Sequence, residues 1–356
     1  MGLQLCFILP AAITFVTMEH GVTYIRNVWY MAAWEEEIEG DSLLARRLLD
    51  KPWVIFRKAD GSYAMLGNLC PHRFAPLSQG RRKGDTIACP YHGLEYDAAG
   101  LCTRNPFSDL IPPHARVDAP PVVARHRGVW FWAGDADKAD PALIPDFSAI
   151  EVEQPMVHGR TLFPAHYEII TDNLIDLSHT EFIHEDSFRM NGKFLAGQYS
   201  GDEDETGAIW SRWAFYDTPR PAWLYGVAAD ARMDEWLDMR WHAPASMLLE
   251  VGFTLAGRPR EEAPVPAFVN PHILTPETAE TTHYFYTRQP GEEAEAMTRQ
   301  VFEMEDLPML EAIQHALGAS AEGAAFWDLK PVVLNIDAAA VRVRRRLMKL
   351  RREEAG

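Results

Sequence analysis

Cysteine is scarce in this chain. Four occur in 356 residues, Cys6, Cys70, Cys89 and Cys102, with no dense or even spacing. So few thiols cannot build a disulfide framework, and reduced side chains in a cytoplasmic setting are expected. Positive charge is also in short supply: 34 Lys and Arg face 51 Asp and Glu, a formal net charge of −17. That balance excludes a phosphate backbone as a natural partner, so no nucleic acid is expected. No run approaches the roughly 20 apolar residues needed to span a bilayer, and no membrane association is expected. The most apolar stretch, Leu3 to Val16, has no basic residue before Arg26, unlike a secretory signal. Residues 1–21 are therefore expected to be a disordered leader or a misassigned start, with Met18 as an alternative initiator. A Gly-x-Gly-x-x-Gly after a strand is missing too, so redox chemistry here would draw its electrons from another protein.

What is present is ordinary globular material, 47% hydrophobic and 11% aromatic. From about Asn27 to Asp135 short alternating runs are broken by Gly and Pro. Strands are expected at 44–49, 53–56, 63–66, 86–88, 93–96 and 129–132. A breaker-rich stretch over residues 134–145 reads as a linker, which places a domain boundary near residue 140. Beyond it the signals mix. Residues 166–184 suit a helix, and strands are expected at 208–216, 233–242, 246–255 and 280–288. Met297, Val301, Met304, Leu310, Ile313 and Leu317 fall at helical spacing around Pro308. Val343, Leu347 and Leu350 form one stripe of a basic amphipathic helix at 336–354. The fold class is thus α+β, an all-β half followed by a mixed half.

Two short motifs dominate the first half. Cys70-Pro-His72 and Cys89-Pro-Tyr-His92 each offer one thiolate and one imidazole at a strand-to-turn transition. Zinc and a [2Fe–2S] cluster both accept such ligands. Zinc knuckles gather their cysteines in one pair and their histidines in another, whereas a Rieske centre gives two cysteines to one iron and two histidines to the other. One of each on both loops is the second pattern. Cys6 and Cys102 stand outside it.

The second half carries a run of ligand types, Asp172, Asn173, Asp176, His179 and His184. Asp176 and His179 would share a helix face, but His179 and His184 would diverge by about 140° on a regular helix. A shared metal therefore requires a helix end or a π-bulge between them. Two histidines and one carboxylate make a facial triad suited to non-haem Fe(II) and O2. Asp306 is the chosen carboxylate, over its neighbours Glu303 and Glu305.

With Asn27-Val-Trp-Tyr, Ile273-Leu-Thr-Pro-Glu-Thr and Leu334-Asn-Ile-Asp added, these stretches resemble the oxygenase component of Rieske non-haem iron oxygenases, most of all the vanillate O-demethylase branch. The resemblance implies an all-β Rieske [2Fe–2S] domain at 22–140 and an α+β helix-grip catalytic domain at 141–356. It gives Cys70, His72, Cys89 and His92 to the cluster, and His179, His184 and Asp306 to a mononuclear Fe(II). Asn173 would stand close to that iron without binding it. Asp176 would link a cluster histidine of one subunit to an iron histidine of the next in a homotrimer, or else orient an iron ligand within its own chain. A separate flavin/[2Fe–2S] reductase, or a reductase plus ferredoxin, would supply electrons, and O2 and a small aromatic compound would be the substrates. The activity implied is oxidative O-demethylation of a methoxylated aromatic acid such as vanillate. Hydroxylation of another aromatic or alicyclic substrate, and electron carriage without catalytic iron, are the alternatives. His272 and Arg240 are candidates to bind a substrate carboxylate, with His242 beside them. Trp213, Trp223 and Tyr284 are candidate pocket aromatics. The basic last helix reads as a solvated face or, through Arg344 and Arg345, as a dock for an acidic reductase.

Overall fold

Each expected strand of the first half forms, and the residues between them decide how those strands layer. The computed structural model describes residues 24–355, apart from 222, 223, 225, 265 and 266. The leader, Met18, Cys6 and Trp223 lie outside the described residues. Three small antiparallel sheets make up the first half. Val28–Trp34 pairs with Gly128–Ala133 and through it with Val122–Arg125. Leu44–Leu48, Lys51–Arg57 and Tyr63–Gly67 form a meander, and Arg81–Lys83, Thr86–Ala88, Glu95–Tyr96 and Cys102–Arg104 form the third sheet. Tyr63–Gly67 ends three residues before Cys70 and Thr86–Ala88 one residue before Cys89, so the sheets hold both motifs by their bases.

The stretch near residue 140 is more than a connector. Ile144, Phe147 and Ile150 are buried beneath Trp130 and Trp132, in a cluster that also contains Ile273 and Phe285 of the second half. Thr275 Oγ1 donates to the Met31 carbonyl across the same seam at 2.7 Å. Burial of large apolar side chains, not chain stiffness, fastens the two halves together.

Seven antiparallel strands build the second half, in the order Val157–Phe163, Thr282–Arg288, Phe268–Pro276, Ser246–Leu255, Arg232–His242, Ile209–Pro219 and Gln198–Glu203. Three of these escape a sequence reading. Phe268–Pro276 contains Pro271, which reads as a breaker, and Val157–Phe163 contains Gly159, where a Cβ would lie 2.4 Å from the Tyr286 ring. Gln198–Glu203 is a polar edge strand with little apolar alternation.

Among the described residues four α-helices of eight or more residues pack against the sheet and one another: α1 at Tyr167–Ile175, α2 at Glu292–Arg299, α3 at Leu307–Leu317 and α4 at Ala338–Ala355. The helix expected over 166–184 breaks at Asp176, whose φ of −98° and ψ of 87° leave the helical region. Between α2 and α3 runs a π-helical segment, Gln300–Asp306. An i→i+5 turn absorbs one more residue than an α turn, so the apolar stripe loses its phase there. Met304, expected on the buried stripe, is 59% exposed, while Phe302 and Asp306 turn inward.

Val343 and Leu347 of α4 are buried as expected. Its arginines behave differently from a docking surface. Arg344 is 3% exposed and pairs with Glu168 (3.1 Å) and Asp172 (2.6 Å) of α1, its guanidinium lying over the Phe326 ring. Arg351 pairs with Glu168 and with Glu322. Arg344 is therefore corrected from a possible reductase contact to an internal clamp between the last helix and α1, because three acids otherwise stand uncompensated inside the protein. Arg345 remains exposed.

Candidate metal centres and active site

The first centre is made by two loops with the same backbone wiring. Cys70 N–H donates to the Ala75 carbonyl (3.0 Å) while Phe74 N–H donates back to the Cys70 carbonyl (2.7 Å). Cys89 N–H donates to Leu94 (2.7 Å) while Gly93 N–H returns to Cys89 (3.0 Å). The fifth residue of each loop is left-handed, Phe74 at φ 58° and Gly93 at φ 73°. Glycine takes that conformation freely, and a phenylalanine held there stores about 1–3 kcal/mol of strain. Both cysteines are buried, at 1% and 4% exposure. His92 is half-buried and His72 exposed, and their rings lie 4.5 Å apart. Burial pushes the Cys89 thiol up, while the N–H groups of Tyr91 and His92 beside the sulfur pull the other way. A site with two buried sulfurs inside and two imidazoles toward the surface fits a cluster whose two irons differ in ligand type.

The second centre forms where two helices are interrupted. Asp176 ends α1, and its carboxylate caps the next turn by accepting from Ser178 N (3.0 Å) and Ser178 Oγ (2.6 Å). The 3₁₀ turn Leu177–Glu181 carries His179. Phe182 N–H and Ile183 N–H then both donate to the His179 carbonyl, and the tightened turn delivers His184. The two imidazole rings end 5.2 Å apart, which a regular helix does not allow. Asp306 enters from the π-helical segment, its Oδ1 standing 3.8 Å from His179 Nε2 and 3.4 Å from His184 Nε2. Ligand atoms of these three side chains all lie within 4.8 Å of one another.

Hydrogen bonding fixes the tautomers. His184 Nδ1 meets the Glu305 carboxylate at 2.7 Å, and His179 Nδ1 meets the Asp176 carbonyl. Both partners only accept, so each Nδ1 carries the proton and each Nε2 presents a lone pair toward Asp306. Burial pushes both imidazoles down, against the pull of Asp306 on His179 and of Glu305 on His184, and both stay neutral. Burial also pushes Asp306 up to about 6, opposed by His179 and Asn173. Three acceptors converging at a largely buried site without a proton between them fit a divalent cation.

Glu305 was weighed in the sequence as an alternative ligand; its structural position is behind the His184 ring, at Nδ1. Burial would raise it, but donors from Ser187 Oγ (2.7 Å), Gln300 Nε2 (3.0 Å) and His184 hold it below its usual range. A carboxylate fixed in this way orients the imidazole and strengthens it as a ligand. Asn173 Nδ2 donates to Asp306 Oδ1 at 3.3 Å, and its own Oδ1 is buried without a hydrogen-bond partner among the described residues. A second convergence of ligand types, His166, Glu168 and Glu322, is filled by the Arg344 and Arg351 guanidinium groups.

The triad closes one end of a cavity of about 1050 Å³, walled by Leu177, Leu237, Met239, Leu249, Val251 and Phe302 among others. His272 reaches it from the Phe268–Pro276 strand. Its Nδ1 bonds the Tyr284 hydroxyl, its buried Nε2 has no partner among the described residues, and burial together with nearby His179 pushes it down to about 3. Arg240 does not reach the cavity and is corrected. Glu235, Leu237 and Met239 on its strand face the cavity, so strand alternation turns Arg240 and His242 to the other side. Arg240 bonds the Asp146 carbonyl there and lies over Trp210. Tyr284 is buried behind His272, and Trp213 packs with Phe194 and Phe215 away from the cavity.

Residues 28–115 match the Rieske [2Fe-2S] domain family, and residues 163–353 match the vanillate O-demethylase oxygenase C-terminal domain. The chain belongs to the oxygenase components of the Rieske non-haem iron oxygenases, in the vanillate O-demethylase branch. This oxygenase is 33% identical over 344 residues to the chloroacetanilide N-alkylformylase oxygenase component of Rhizorhabdus wittichii, covering 91% of this chain and 94% of that protein. It is 34% identical over 355 residues to the dicamba O-demethylase oxygenase component of Stenotrophomonas maltophilia, covering 94% and 100%. The crystal structure of dicamba monooxygenase with non-heme iron and dicamba superposes at a TM-score of 0.77, 33% identity, and 94% and 99% coverage. The Rieske fold and the mixed catalytic fold inferred from the motifs thus both stand. No helix among the described residues is long and apolar enough to cross a membrane.

Proposed function

We propose that this oxygenase removes the methyl group of a methoxylated aromatic acid such as vanillate, in the cytoplasm, with O2 and electrons from a separate NAD(P)H-dependent reductase, directly or through a ferredoxin. The observation that carries this reading is the convergence of His179, His184 and Asp306 at the end of an apolar cavity large enough for an aromatic ring. Cys70, His72, Cys89 and His92 are assigned to the [2Fe–2S] cluster within a domain spanning 22–140. The three convergent residues are assigned to one Fe(II) within 141–356. Bound there, the two groups store an electron and activate O2. The balance is one methoxyarene, one O2, two electrons and two protons giving one phenol, one formaldehyde and one water.

The chain's own residues do the rest. Glu305 and the Asp176 carbonyl hold the two imidazoles in one tautomer, so the donor set needs no rearrangement when metal binds. The cavity walls exclude water around the methoxy carbon. His272 is kept neutral by burial and presents Nε2 to the substrate's polar end; with Tyr284 O–H donating to Nδ1, Nε2 carries a proton and can bond an acid oxygen. Asn173 steadies Asp306. We assign Asp176 to electron transfer between subunits of a homotrimer, which its half-buried carboxylate beside the metal centre supports. Purified protein with a matching reductase, NADH and a methoxybenzoate panel tests the proposal. One formaldehyde per NADH is expected. NADH consumption without formaldehyde from any member of the panel would reject the substrate class.

A further inference from the structure

The cavity has a second polar end that the metal centre does not use. Lys193, on the short helical turn Lys193–Ala196, reaches to Glu235 of the Arg232–His242 strand, and the two side chains form an ion pair on the cavity wall. Glu235 is 6% exposed, and the residues paired with it on the neighbouring strands, Phe215 and Phe253, are both buried. The Lys193 ammonium also lies over the Phe215 ring, 4.9 Å from its centroid. Two charges held among phenylalanines are harder to desolvate than an apolar pair of the same size, so the packing of the fold does not ask for them. Their position separates them from His272. Phe253 stands across from Glu235 and Met247 across from His272. Those two partners are six residues apart on one strand, which at about 3.3 Å per residue sets the ion pair about 20 Å from His272 along the strands. A one-ring acid bonded to His272 is too short to reach it. Between the two ends the walls are apolar, formed by Leu237, Met239, Leu249 and Val251. The cavity volume of about 1050 Å³ matches the upper end of ordinary small-molecule sites, about 1,000 Å³.

We propose that Lys193 and Glu235 form a second substrate-recognition site, and that the preferred substrate is an elongated methoxylated aromatic acid bearing a neutral group of the carboxamide type at the end away from the reacting methoxy group. The inference rests on the O-demethylase reading for the reacting end of the substrate. Lys193 keeps donors beyond the one given to Glu235, and a carboxylate accepts at both of its oxygens. A carboxamide answers both partners, its N–H donating to Glu235 and its carbonyl accepting from Lys193. The pair carries no net charge. A carboxylate in that place would meet Glu235 and an ammonium would meet Lys193, so an ion of either sign is disfavoured.

The probes are three methoxybibenzyl carboxylates, two rings on a flexible link, alike except at the far para position. There one carries a carboxamide, one an acetyl group of the same shape and one a second carboxylate. Binding to purified holoenzyme is measured by isothermal titration calorimetry, and formaldehyde release is measured on the same compounds with reductase and NADH. Wild type should bind the carboxamide about tenfold more tightly than either of the others, the worth of one charge-assisted hydrogen bond. Glu235→Gln keeps the shape of the side chain and leaves Lys193 uncompensated, so it should bind the dicarboxylate about tenfold more tightly than wild type does. A pair that only stabilised the fold would not reverse a preference in this way. If that variant does not fold, Lys193→Met combined with Glu235→Leu fills the same space with apolar side chains and should bind the carboxamide no better than the acetyl compound. Equal affinities of wild type for these two, failure of wild type to bind the carboxamide, or an unchanged order of affinities in the variants overturns the proposal. Discriminating binding without formaldehyde from any of the three would support the distal site and reject the demethylase reading beneath it.

Discussion

The cluster loops and the iron-type site solve the same problem, gathering ligands around a metal, with opposite means. Each cluster loop is a closed local unit: the cysteine's N–H and carbonyl are both satisfied within the next five residues. The other site joins Asn173 and Asp306, 133 residues apart, and depends on two irregular helix segments arriving at one place. A local site tolerates change elsewhere in the fold. A distributed one is only as well placed as the packing of its helices.

That contrast can be broken or sharpened by substitution. The largest effect is expected at the cluster. Cys89→Ser should abolish the [2Fe–2S] spectrum and turnover together while leaving one iron atom per chain in the catalytic half, measured by metal analysis. Next comes Arg344→Met. It strips Asp172 of its guanidinium partner, leaves Glu168 with Arg351 alone, and should cost about 3 kcal/mol in thermal or urea unfolding, with loss of the distributed iron before the cluster. Glu305→Gln leaves the three ligands in place but weakens the hold on His184. It should lower iron affinity or turnover by about 10–100-fold, read by chelator competition, without changing the cluster spectrum. The smallest effect is expected for Arg240→Ala, which lies on the far face of its strand and should change KM for a methoxybenzoate by no more than about twofold. His272→Ala, on the cavity side, should raise KM more. Equal effects at the two positions would break the assignment of faces.

Legibility in the sequence follows the same division. That Cys70, His72, Cys89 and His92 sit on two paired loops could be read because the spacing within each loop is local, and the flanking Pro and Gly mark the turns. His179 and His184 announced themselves as a pair, together with the need for an irregular helix between them. What the sequence could not carry was the phase of the second helix. Pro308 drew attention as the helix interruption, whereas the actual change is the π-helical run before it, which turns Met304 out and Asp306 in. Glu305 and Asp306 are adjacent and chemically alike, and only that turn aims Asp306 at both imidazole Nε2 atoms and Glu305 at His184 Nδ1. Arg240 failed for a simpler reason: strand alternation decides which face a residue takes, and the sequence does not say which face lines the cavity. The charge of the final helix misled because Arg344 and Arg351 are spent inside the protein, on acids of α1 that lie far away in the chain.

Asp306→Ala puts the division of labour between the two centres to its most direct test, with iron content, cluster spectrum and formaldehyde release measured on one preparation. The expected result is a fall from three iron atoms per chain to two, an unaltered Rieske spectrum that still accepts an electron from the reductase, and no formaldehyde. Full turnover with an intact cluster and only two irons would contradict it.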